Sequence, residues 1–256
     1  MPKLLKFLAF DTSTDQLSIA LTDGARVWQH SGPGGAQASI TLIPAILALL
    51  VESGLGLGEL DAIAFGRGPG SFTGLRTACA VAQGLAFGAN EGAGIPVLPI
   101  DTLMAVAEEA RFQWAGGMGQ SAADSPFTVT ALLDARMHEM YLQSYEFNSG
   151  LWISTKDCEL IRPEDLAPQP GTCLLAGNVF DVYAERLPAG LAQFARRQAL
   201  PTAGALLRLA PALAAAGKCV DAALALPLYV RDKVALTTDE RAQVKAQAAL
   251  AAGPVR

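Results

Sequence analysis

The chain has 256 residues, of which 51% are hydrophobic and 17% charged, so it folds around a substantial core and is neither a disordered tail nor a disulfide-built miniature domain. Its formal net charge of −5 is the wrong sign for a protein that grips a phosphate backbone unaided. The four cysteines, Cys79, Cys158, Cys173 and Cys219, show no metal-ligand spacing and read as reduced, mostly buried thiols. Lys6 interrupts the apolar N-terminus before it reaches signal-peptide length, and Ile40 to Val51, the longest apolar stretch, is too short and too broken by Thr41 and Pro44 to span a bilayer. The expectation is a cytoplasmic protein with no membrane contact.

In chain order, Leu4 to Phe10 reads as a buried central strand that delivers Asp11-Thr12-Ser13-Thr14 at its carboxyl end. Leu17 to Leu21 and Arg26 to His30 follow as strands around the tight-turn dipeptide Asp23-Gly24. The pattern then predicts a helix over Ile40 to Glu52, a strand over Ala62 to Phe65, a helix over Thr73 to Phe87, a strand over Val97 to Ile100 and a helix over Thr102 to Arg111. Ala115 to Pro126 is a low-complexity surface connection. Beyond it the order begins again, with strands over Phe127 to Leu133, Glu139 to Phe147 and Leu151 to Leu160, a short helix at Pro163 to Leu166, a strand over Thr172 to Leu175 and a helix over Asp181 to Leu187. Even the first-strand ends correspond, Phe10-Asp11 with Leu133-Asp134. A helix over Thr202 to Ala216 returns to the first half, and Thr237 to Arg256 is a polar, Ala-rich tail.

An order of βββαβαβα, present twice, is that of an α/β, duplicated ribonuclease-H-like fold of the actin, Hsp70 and sugar-kinase superfamily. The expected halves are 1–112 with about 200–235, and 113–199, followed by the tail at 237–256. Fold analogy of this kind fixes no function.

Gly66-Arg67-Gly68-Pro69-Gly70-Ser71-Phe72-Thr73-Gly74 lies between a strand and a helix, where Ser71 or Thr73 could cap the helix and its N-terminus could receive an anion. The spacing fails both the Walker A and the dinucleotide patterns, so the first reading is a cap and close-packing turn. Asp11, Ser13 and Thr14 stand where this fold class meets nucleotide phosphate; a strand-end turn closed by side-chain hydrogen bonds is the equal alternative. The carboxylates of a two-metal nuclease are missing from the first helix and the fourth strand end, and His30 and His138 read as surface or hairpin residues. No metal site and no catalytic triad is expected.

The first helix is apolar nearly all round, with Ile40, Ile43, Leu47 and Leu50 on one face and Leu42, Ile46, Leu49 and Val51 on others. The second carries Gly74, Ala78, Ala82 and Ala86 at intervals of four, beside Ala80, Gly84 and Gly88. Either both helices are buried within the chain, or part of their surface is a standing protein interface.

Three stretches, Phe10 to Thr14, Leu60 to Arg76 and Ala135 to Tyr141, resemble the TsaB (YeaZ) family, with Pro227-Leu228-Tyr229-Val230-Arg231 fitting as well. The resemblance implies a non-catalytic subunit that pairs with the transferase TsaD to form N6-threonylcarbamoyladenosine at position 37 of tRNAs reading codons that begin with A. It further implies a TsaE-like ATPase as a second partner and contact with tRNA only through the complex. It assigns this chain no cofactor, any ATP or Mg²⁺ belonging to the partner or the complex interface. Pairing is implied to run through the first two helices, on which Ile43, Leu47, Leu50, Gly74, Ala78, Val81, Ala82 and Leu85 are the candidate contact residues. A homodimer through the same helices is expected when the partner is absent. The competing reading is a stand-alone enzyme of the superfamily, a small-molecule kinase or an M22-like metallopeptidase.

Overall fold

The computed structural model describes residues 3–118 and 127–231; most of the expected 115–126 connection and the whole 237–256 tail lie outside them. Strand β1 (Phe7–Asp11) is fully buried and forms the centre of the first sheet. On one side β2 (Gln16–Thr22) and β3 (Val27–Pro33) run antiparallel, with Phe10 opposite Ile19 and Ile19 opposite His30. On the other side β4 (Ala62–Gly68) and β5 (Val97–Asp101) run parallel, giving the order β3-β2-β1-β4-β5. The turn after β2 is longer than the two residues expected at Asp23-Gly24, because the Asp23 carboxylate accepts from the N–H groups of Ala25 (2.8 Å) and Arg26 (2.6 Å) and holds a four-residue loop.

The second sheet repeats the permutation. Strand β6 (Phe127–Arg136) pairs antiparallel with β7 (Glu139–Asn148), which pairs with β8 (Leu151–Ser154) and with β9 (Glu159–Ile161). Parallel to β6 lies β10 (Leu174–Gly177), and β11 (Ala195–Gln198) extends the sheet to the order β11-β10-β6-β7-β8. Both halves thus share one wiring, two antiparallel strands to one side of the leading strand and two parallel strands to the other. The expected single strand over Leu151 to Leu160 is split in two, and β11, rich in exposed arginine, was not anticipated.

Helices α1 (Ala38–Ser53) and α2 (Phe72–Gly88) cover the outer face of the first sheet. Between the sheets lie α3 (Thr102–Met118) and α5 (Ala203–Ala215). Helix α3 packs Leu103, Val106 and Ala110 toward the second sheet, whereas α5 packs Leu206 and Leu209 on the first. The second half is reduced: where the first has α1, it has only a 3-10 turn at Pro163–Asp165, and α4 is a single turn, Val179–Val182, shorter than the helix expected over Asp181 to Leu187. The middle layer is also tied by charge. The buried Glu108 carboxylate on α3 accepts from Arg111 (2.9 Å), from Arg208 on α5 (2.8 Å) and from the Trp152 indole of the second half (3.0 Å).

All four cysteines are free, but the expectation of mostly buried thiols is not met: only Cys79 is buried, Cys158 and Cys219 are half-buried, and Cys173, at the turn leading into β10, is exposed. Together with the short turn before it, α1 makes a 19-residue helical stretch, Gly35–Ser53, long and apolar enough to cross a membrane on length and composition alone. That corrects the expectation drawn from Ile40 to Val51. In this fold the stretch lies along the first sheet and buries Leu42, Ile46, Leu49 and Leu50 against it.

Candidate functional site

The interior of α1 is set by one face of its helical period: Ala38, Leu42, Ile46 and Leu49 recur at intervals of three or four and are buried. Gly54 stops it in the left-handed region at φ 73°, donating its N–H to the Leu50 carbonyl at 3.0 Å. The opposite face is equally apolar but uncovered, with Ile40 74%, Ile43 44%, Leu47 48% and Val51 83% exposed. Helix α1 carries one charged residue, Glu52, and α2 carries one, Arg76. A continuous apolar surface nearly free of charge is unusual on an isolated protein and is the composition of an interface core.

On α2 the two small-residue ridges separate. Gly74, Ala78, Ala82 and Ala86 face inward and are fully used by this chain. A β-carbon at Gly74 would sit 1.9 Å from the Thr12 carbonyl oxygen, so glycine is what lets α2 approach the first strand end. The second ridge, Ala80, Gly84 and Gly88, is exposed, and Phe87 projects beside it. Of the eight candidate contact residues, Ile43 and Leu47 are exposed and Val81 and Leu85 are half-buried along the core. Leu50, Gly74, Ala78 and Ala82 are corrected: they are buried in the chain's own core and have no surface to offer. Ile40, Val51, Ala80, Gly84 and Phe87, which are not among those eight, are also exposed on the two helices, and Ile40 and Val51 lie eleven residues apart, three helical turns, and so share a face.

The Gly66 to Gly74 segment proves to be a clamp. Ser71 donates its N–H to the Ser13 carbonyl (2.8 Å), Thr12 donates its hydroxyl to the Gly74 carbonyl (2.7 Å), and Gly68 donates to the Thr102 hydroxyl (3.1 Å). Ser71 takes the N-cap position of α2, yet its side chain makes no cap bond; that part of the expectation is not met, because the residue is held through its backbone.

Beneath this clamp lies Asp11, wholly buried. One carboxylate oxygen accepts from the Ser13 N–H (2.9 Å) and the Ser13 hydroxyl (2.6 Å), and the other has no partner. Burial raises its pKa to about 6, the two Ser13 bonds pulling the other way. A β-carbon on Gly66 would come within 1.8 Å of the unpartnered oxygen, so Gly66 makes the space that the carboxylate occupies.

A cleft of about 280 Å³ opens between the halves, lined by Ser13, Thr14, Gly70, Phe72, Asp134, Arg136 and the Leu228–Arg231 segment among others. Of the three residues assigned to nucleotide phosphate, Ser13 and Thr14 reach it, whereas Asp11 does not line it. Asp134, its counterpart in the second half, is occupied by the Tyr183 hydroxyl (2.6 Å) and the Arg136 N–H (2.8 Å). Ion pairs join the two halves near this cleft, Arg136 with Asp15 and Arg231 with Glu139. Ser13 and Thr14 thus face the cleft, while Asp11 is held in a strand-end turn closed by its two bonds from Ser13. Among the described residues no three His, Cys, Asp or Glu side chains come together as a metal site, and His30 and His138 are exposed.

A family model described as TsaD, tRNA N6-adenosine threonylcarbamoyltransferase, matches residues 35–172. The tRNA threonylcarbamoyladenosine biosynthesis protein TsaB of Escherichia coli (strain K12) is 31% identical over 237 residues, covering 90% of this chain and 96% of that protein. TsaB of Haemophilus influenzae is 42% identical over 137 residues, 54% of this chain and 52% of that one. The solved structure of YeaZ from Pseudomonas aeruginosa is 35% identical with a TM-score of 0.76, covering 88% of this chain and 100% of that chain. Similarity that spans almost the whole of a curated relative, on the same duplicated fold, places this chain in the TsaB (YeaZ) family.

Proposed function

We propose that this chain is a non-catalytic subunit that pairs with a TsaD-type transferase in forming N6-threonylcarbamoyladenosine at position 37 of tRNAs reading codons that begin with A. The observation that carries the reading is the uncharged apolar face of α1 and α2, which a lone chain leaves in water. The name of the Escherichia coli relative supports the pathway, and the TsaD description of the matching family model supports a partner built on the same fold. In this reading the complex works in the cytoplasm, a TsaE-like ATPase joins it, tRNA is met only through it, and any ATP or Mg²⁺ sits with the partner or at the shared interface. A second copy of the chain covers the same face when the partner is missing.

The test is Leu47→Asp. The side chain is half in solvent, so the purified variant keeps its fold. A carboxylate buried without a partner at an interface costs roughly 3–5 kcal/mol, about a hundredfold or more in Kd. Retention of full affinity for the TsaD-type subunit by this variant would refute the proposal.

A further inference from the structure

The segment after α5 places a further exposed apolar feature beside α2. From Ala222 to Arg231 the chain runs as a strap along α2, on the side away from α1: the Ala225 carbonyl accepts from the Cys79 thiol (3.1 Å) and the Gln83 amide (3.0 Å), and Leu228 donates its N–H to the Arg67 carbonyl (2.7 Å). Ala222 and Ala225 are buried in the α1–α2 core. Between and beyond these anchors, Leu224 is 68% and Leu226 65% exposed. These two leucines are exposed apolar area on a backbone fastened at Ala225 and Leu228, and that placement lowers the entropic cost of covering them.

Size and direction decide what covers them. A stable interface engages about 20–30 residues a side, more than the exposed residues of α1 and α2 supply, so a subunit seated there must extend past one border. Past α1 lies the edge strand β3, where Gln29, His30 and Ser31 are exposed. Past α2 lies the strap with its two leucines. An α-helix is about 10 Å across with its side chains, so a body resting on Ala80, Gly84 and Phe87 meets the strap directly.

We infer that Leu224 and Leu226 form the third element of the docking surface and are covered by the same TsaD-type subunit as α1 and α2; this rests on the docking function proposed above. The experiment is calorimetric titration of the full chain with the purified TsaD-type subunit. It compares the wild type, Leu47→Asp, the double variant Leu224→Asp/Leu226→Asp and Leu151→Asp, the last on the exposed edge strand β8. Thermal melts confirm folding, and Leu224→Ser/Leu226→Ser repeats the comparison without added charge. The expected result is loss of binding for Leu47→Asp, a weakening of about tenfold or more for each strap variant, and no change for Leu151→Asp. Strap variants within twofold of wild type while Leu47→Asp fails to bind would overturn this inference and leave the docking function standing. Wild-type affinity for Leu47→Asp as well would overturn both. Strap variants that change only the self-association of the chain in sedimentation would assign the leucines to a second copy and overturn the inference. Equal loss for Leu151→Asp would overturn it as well, since the effect would not be local.

Discussion

Asp11→Asn tests how burial of this carboxyl sets the stability of the fold. In the folded chain the carboxyl is pushed up to about 6 from the ordinary aspartate value of 3.8, because it is buried with one oxygen unpartnered. Between those values the folded state holds more protons than the unfolded one, so stability falls as pH rises. The contribution is fully present below the unfolded value and lost once pH passes the folded one. Moving the carboxyl from 3.8 to about 6 corresponds to on the order of 3 kcal/mol between pH 4 and pH 7.5. Asparagine keeps an oxygen for the Ser13 N–H and hydroxyl and carries no charge at any pH. It leaves an amide N–H₂ in the place of the unpartnered oxygen, which costs about 1–3 kcal/mol at every pH. The expected outcome in urea unfolding is therefore a change in slope: the wild type loses stability from pH 4.5 to pH 7 relative to Asp11→Asn, with the variant's relative advantage greatest above neutrality. Parallel stability curves for the two proteins across that range would refute the reasoning, and with it the reading of Asp11 as a buried, charge-penalised member of a structural turn.

Two further outcomes follow from the same interior. Gly66→Ala drives a β-carbon to 1.8 Å from the Asp11 carboxylate and is expected to destabilise the chain by about 1–3 kcal/mol in denaturant titration; a neutral effect would show that the clamp yields easily. Glu108→Ala leaves Arg111, Arg208 and the Trp152 indole facing an empty buried position, and its expected cost of about 3–5 kcal/mol appears as a large drop in Tm. A melt like that of the wild type would mean that the Glu108 cluster adds nothing to the joining of the halves.

Much of the fold was legible in the chain order. Apolar runs bounded by turn residues located nine strands, one of which the structure splits in two, against eleven among the described residues, and the repeat from Phe127 announced a second sheet wired like the first. What the pattern missed was the part with weak pattern. β11 reads Ala-Arg-Arg-Gln and is mostly exposed, so no alternation marks it; only its parallel register with β10 makes it a strand. The exposed apolar face of α1 was half legible, since its apolar excess shows in composition but the assignment to faces does not.

Helix α2 shows where the division falls. Its sequence determined by itself that small residues recur every fourth position along two ridges, and with them that some backbone comes close. It did not determine which ridge turns inward, because periodicity fixes the angle between ridges and not the rotation of the helix about its axis. The Thr12 carbonyl decides that, by leaving space only for a glycine at 74, and Gly74 in turn commits Ala78 and Ala82 to the core and leaves Ala80 and Gly84 to the solvent face. In the same way the sequence supplied Asp11 at a strand end, a place that suits phosphate. Tertiary packing closed the clamp over it and made it a buried acid instead, because the approach of a second segment is a long-range contact that no local spacing encodes.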